Sequence, residues 1–134
     1  MPGYDMAQTH CYNWDEFNFG GSSGTKTLKI QGPPGKVGRI VDMGCVVSVA
    51  TVFATTTAKI NVGITGALTS YASINIPTAK AADYAINVGN IVANSGAITT
   101  RDLPADTPVT LSFVEGTGAN LAGKACPFIT IGWY

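Results

Sequence analysis

Charge is what this chain has least of. Lys, Arg, Asp and Glu make up 12% of its 134 residues, about half the usual share, and they balance to a formal net charge of zero. No Lys/Arg run exists to neutralise phosphates or anionic headgroups, which argues against nucleic acid and membrane as partners. Histidine occurs once, at His10. Neighbours in sequence rarely ligate one ion together, and no further His is present to complete a site with Cys11, so neither a metal nor a cofactor is expected. A Ser-His-Asp or Cys-His site is equally disfavoured, because a lone His in a tail-like segment is hard to hold against a nucleophile. The three cysteines, Cys11, Cys45 and Cys126, are odd in number and far apart, and they read as free thiols. The longest apolar stretch, Cys45 to Ala54, is interrupted by Ser48 and Thr51 and falls far short of the roughly 20 residues of a membrane helix. Met1-Pro2-Gly3-Tyr4-Asp5 lacks the basic start and apolar run of a signal peptide.

The carboxylates do not suggest an enzyme either. Asp42, Asp83, Asp102, Asp106 and Glu115 fall mostly at predicted turns, where solvation explains them better than paired acid–base work. Gly116-Thr117-Gly118 has no Lys-Ser/Thr ending and no following helix, so it reads as a hairpin loop and not a phosphate cradle. The expectation is a protein without catalytic residues.

What the chain does have is β-texture. Between Gly44 and Ala79 only Lys59 is charged, amid dense Val, Ile, Ala and Thr, a composition suited to strands buried on both faces or against other subunits. Period-2 alternation places Ile60, Val62 and Ile64 on one face, Ala72, Ile74 and Ile76 on another, and Val109, Leu111 and Phe113 on a third. The closing run sets Ile129, Ile131 and Trp133 on one side. Thr25 to Ile30 makes a first strand, stopped by Gly32-Pro33-Pro34-Gly35. Val37 to Phe53 is one bent strand or two, and Ile86 to Ala93 completes a count of about eight. Lys80 to Tyr84 is the only stretch with helical leanings. Eight antiparallel strands over roughly 110 residues point to a two-sheet sandwich, all-β and jelly-roll-like. An immunoglobulin-like sandwich is the main rival, but no Trp lies between Cys45 and Cys126.

Residues 1–24 read differently. They hold Tyr4, Tyr12, Trp14, Phe17 and Phe19, five of the chain's twelve aromatics, and end in Gly20-Gly21-Ser22-Ser23-Gly24, a linker composition. This divides the chain into an extended N-terminal arm with a hinge, residues 1–24, and a sandwich, residues 25–134. Aromatic anchors dominate interface energetics, so Tyr4, Tyr12, Trp14, Phe17 and Phe19, together with Trp133, are the candidate partner-binding residues.

Gly35-Lys36-Val37 through Asn61-Val62-Gly63, then Ser70-Tyr71-Ala72-Ser73, Gly96-Ala97-Ile98-Thr99, Leu103-Pro104-Ala105-Asp106-Thr107-Pro108-Val109 and the final apolar strand together resemble the small decoration, or cement, proteins of tailed-bacteriophage capsids. The resemblance covers residues 35–134 and carries no catalytic signature. It implies a structural virion protein, a homotrimer on the capsid surface that binds the major capsid protein, stabilises the expanded shell and assembles in the host cytoplasm. The alternative is a receptor- or glycan-binding β-domain of a tail spike or fibre, which would use exposed Trp133 or Tyr134 as a stacking platform.

Overall fold

The structure is a computed structural model and describes residues 8–21 and 24–134. Among them are eleven strands and no helix: β1 (Gln8–Asn13), β2 (Phe17–Asn18), β3 (Lys26–Ile30), β4 (Gly38–Val52), β5 (Ala58–Ile64), β6 (Ala67–Ile76), β7 (Ala85–Ile86), β8 (Ala97–Ile98), β9 (Asp102–Leu103), β10 (Val109–Val114) and β11 (Ala122–Trp133). Their antiparallel pairings are nested. β1 pairs with β11, β3 with β10, β4 with β7 and β9, and β5 with β6 as the innermost hairpin. This is one long ribbon, and rolling it brings β11 against β4 and β10 against β5. The result is two sheets, ordered β1-β11-β4-β7 and β3-β10-β5-β6-β8, which is the wrapping of a jelly roll.

The expected alternation holds where it was cleanest. Ile60 and Val62, Ala72, Ile74 and Ile76, Val109, Leu111 and Phe113, and Ile129, Ile131 and Trp133 are all buried, facing Ile40, Met43, Cys45 and Val47 of β4 in a single core. Ile64 is only half-buried because it lies at the hairpin end of β5. Tyr71, expected opposite the core face, is buried as well. Between the pairs Val62↔Ala72 and Ile64↔Ala67 the two strands differ in length; such a bulge turns side chains away from strict alternation.

Of the two alternatives for Val37 to Phe53, the structure has the single strand, β4, of 15 residues, whose irregular pairing with β11 between Thr130 and Ile131 absorbs the bend. Two expectations are corrected. Ile86 to Ala93 is not a strand, since β7 ends at Ile86 and residues 88–95 turn. Lys80 to Tyr84 is not helical; positive φ at Ala79 and Asp83 breaks any helix at both ends. The longest strand that the sequence did not show is β1, inside the segment read as an arm.

Candidate functional site

The placement of the aromatic segment decides what it can do. β1 lies along β11 in six consecutive pairs, from Gln8↔Trp133 to Asn13↔Phe128, and β2 rejoins the same strand at Lys124 and Ala125. Between and beyond them, Trp14 N–H donates to Pro127 O at 3.0 Å, Gly20 N–H to Gly123 O at 3.0 Å, and Gly116 N–H to Phe19 O at 3.0 Å. The segment is thereby held beside Phe113 of β10, a buried core residue. Trp14 meets the Phe113 ring edge-on, centroids 5.6 Å apart, Phe17 lies 5.6 Å from it and Phe19 6.2 Å, and Phe17 and Phe19 are 4.7 Å from each other. Phe19 is 1% exposed.

These rings therefore anchor in their own chain, which corrects the arm boundary at residue 24 for the described residues 8–20. The physical reason is that burying a ring beside Phe113 removes the same area from water as burying it in a neighbour, and β1 pairing carries the ring there without the entropy loss of association. Trp14 and Phe17 keep half-buried faces. Tyr12 is half-buried and its hydroxyl accepts a hydrogen bond from Trp133 Nε1 at 3.2 Å. Trp133, 2% exposed, is a core residue and not a surface platform; its ring lies over Gly32 and Gly38, where an added Cβ would come within 2.5 and 2.6 Å of it. Gly20 is likewise a close-approach glycine rather than a free hinge, since a Cβ there would sit 2.6 Å from the backbone of Ala122. Tyr4, Ser22 and Ser23 lie outside the described residues.

The polar groups have local structural duties. Asp102 pairs with Arg39 at 3.1 Å, Asp106 Oδ1 accepts from Gly35 N–H, and Asp42 Oδ1 accepts from Met43 and Val88 N–H. Glu16 accepts from Ser48 Oγ and faces Lys124 at 3.9 Å. His10 and Cys11 are exposed on β1, and among the described residues no three His, Cys, Asp or Glu side chains group as a metal site. Burial, and then the neighbouring Cys126, push the Cys45 thiol up from 9.0 to about 12; a thiol held protonated in this way is inert. The described residues form hollows of about 400 Å³ beside Val37, Leu103, Pro104 and Tyr134 and of about 320 Å³ beside Asn75, Lys80 and Asn94.

A further surface is the outer face of the sheet built on β4 and β11. Val41, Val46, Val49 and Val52 stand out from β4, with Val41 48% exposed, and the half-buried Cys126, Phe128 and Thr130 of β11 lie alongside. Among the charges bordering this face, Arg39 pairs with Asp102, Lys124 faces Glu16 and Asp42 accepts from backbone amides, while the exposed Asp15 and Asp83 lie at its margins. The face is mainly apolar. Sequence reasoning missed it because the valines of β4 are interspersed with buried Ile40, Met43 and Cys45, so the run shows that the strand is apolar without showing which side meets the core.

No family model matches the chain, and no curated protein matches it. Among solved structures it is similar to a chain of the acidic stable capsid structure of the Helicobacter pylori bacteriophage KHP30, at 16% sequence identity over 95% of this chain and 93% of that one, with a TM-score of 0.47. At that score and identity the likeness assigns no role.

Proposed function

We propose that this chain is a structural virion protein, a decoration or cement protein that binds the outer capsid as a trimer and stabilises the expanded shell. The observation that carries the reading is the outer face of the β4/β11 sheet, where four valines of β4 are exposed and the nearest charges, Arg39 and Lys124, are paired within the chain. Exposed apolar surface of this kind marks protein contact sites, and desolvating those two pairs leaves neither charge without its partner. The resemblance of residues 35–134 to capsid decoration proteins points the same way. The jelly roll, a wrapping used by viral capsid domains among others, agrees by fold-level analogy only.

Such a role needs binding and no chemistry. A protein that binds the expanded lattice and not the contracted one stabilises it by mass action. Three copies in one trimer bind multivalently, so each contact can be weak. The rival reading, a glycan- or receptor-binding domain, asks for a solvent-facing aromatic platform; Trp133 is buried, which leaves Tyr134, 49% exposed, as a single ring without a clustered patch. The test is to add the purified protein to expanded particles assembled without it and to measure occupancy and the temperature of genome release. Stoichiometric binding with a raised release temperature is expected; no binding, or binding to the host cell envelope instead, refutes the proposal.

A further inference from the structure

A sheet edge presents unpaired backbone N–H and C=O groups, and proteins guard their edges with lysine, proline, bulges or brevity. Most edges of this sandwich are guarded. β3 carries the exposed Lys26 and Lys29, β8 is two residues long, and β7 and β9, which close the far side of β4, are two residues each. The edge at β1 is not. Gln8-Thr9-His10-Cys11-Tyr12-Asn13 contains no Lys, Arg, Asp, Glu or Pro, all but Tyr12 are exposed, and the six pairs with β11 run without a register shift. Among the described residues, no strand pairs with the side of β1 that faces away from β11.

We propose that this edge is a strand-addition site that takes an extended, uncharged segment of the shell protein; the inference rests on the capsid reading above. Alternate residues of an antiparallel edge direct their N–H and C=O outward, so about three of the six are available to an incoming strand. Thr9, Cys11 and Asn13 lie opposite Gly132, Thr130 and Phe128, on the outer face of the sheet. An added strand therefore extends the apolar face already described, and main-chain bonds and side-chain burial act on the same partner. The segment is uncharged because β1 offers no opposite charge to compensate a desolvated one. A second copy fits this edge poorly. β1 against β1 makes a two-fold pair that consumes the edge and stops at a dimer, and against β3 it meets two lysines.

The experiment is amide hydrogen exchange on the full chain, free and bound to expanded particles assembled without it. Binding should slow exchange at the outward-facing amides of residues 8–13 by about tenfold or more. Proline substitution supplies a second readout: neighbouring residues direct their N–H groups to opposite sides of β1, so of Thr9→Pro and His10→Pro one leaves the β11 pairing unbroken. That variant should keep its melting temperature and lose at least about tenfold in particle affinity. Binding without added protection in β1, or full affinity in both proline variants, overturns the inference and leaves the capsid reading standing. Protection of β1 in the free protein, with sedimentation as a dimer, assigns the edge to a second copy and also overturns it. Absence of any binding refutes both.

Discussion

Replacing Phe113 with Ala tests the packing that ties residues 14–19 to the sandwich. The ring is 1% exposed and stands within 5.6 to 6.2 Å of Trp14, Phe17 and Phe19, so its loss leaves a cavity that three other rings border. Deleting a buried Phe costs about 3–5 kcal/mol, and each well-oriented ring pair adds about 0.5–1.5 kcal/mol that overlaps with that figure. For a domain stabilised by about 5–15 kcal/mol, this is a large fraction of the total. With a urea slope of about 2 kcal/mol per molar, the midpoint should fall by roughly 2 M. Urea denaturation should be followed by far-UV dichroism and by tryptophan fluorescence, and Trp14→Ala made alongside to close a double-mutant cycle. A coupling between the two positions of about 0.5–1.5 kcal/mol is expected. A loss below about 1 kcal/mol, or additive effects of the two substitutions, would refute the idea that Phe113 anchors the N-terminal segment.

Removing residues 1–20 should destabilise the whole domain, because β1 and β2 cover β11 and Phe19 belongs to the core; a melting temperature unchanged by truncation would restore the arm as a separate element. Gly38→Ala should lower stability by about 1–3 kcal/mol or more, since its Cβ would lie 2.6 Å from the Trp133 ring and 3.1 Å from Leu103 Cδ1; a chemical denaturation midpoint matching wild type would count against the packing described. Cys45 should resist thiol reagents at neutral pH while Cys11 reacts. With its pKa raised in the fold, Cys45 favours folding fully below 9.0, and that contribution should be lost as pH climbs from 9.0 towards about 12. Equal stability of wild type and Cys45→Ala-corrected profiles across pH 9.0 to 12 would remove Cys45 from the account. Light scattering of the isolated protein at micromolar concentration should report a trimer, and a monomer there would count heavily against the proposed function.

The strongest strands were legible because their chemistry alternates. Val109-Thr110-Leu111-Ser112-Phe113 leaves little choice of period, and the structure buries its apolar face as expected. Thr110 and Ser112 are also buried, with Oγ atoms that lack a hydrogen-bond partner, and nothing in the local sequence announces that. β1 was illegible for the opposite reason: Gln8-Thr9-His10-Cys11-Tyr12-Asn13 sits at an edge with both faces mostly exposed, so its strand identity comes from β11, more than a hundred residues away, and not from its own pattern. The aromatics of residues 12–19 read from sequence as anchors in a partner, whereas Trp14, Phe17 and Phe19 pack on Phe113 of their own chain. Sequence could not say in which chain their pockets lie, since the pocket wall is Phe113 and the nearest backbone partners are Gly116, Gly123 and Pro127. Ala81-Ala82-Asp83 misled through propensity, which tertiary context overrides readily over so few residues.

The central place of β11 has a kinetic consequence. This strand is bonded on one side to β1 and β2 and on the other to β4, so one entire sheet has no middle until residues 122–133 have left the ribosome. At about 5–20 residues per second, β1 and β4 wait several seconds in the nascent chain with their bonding edges bare. Pairings this distant in sequence are slow to find even then. In the cell, the vulnerable interval of this protein is therefore its synthesis. A chaperone that shields β4 during translation should raise the yield of folded protein more than any change to the finished surface.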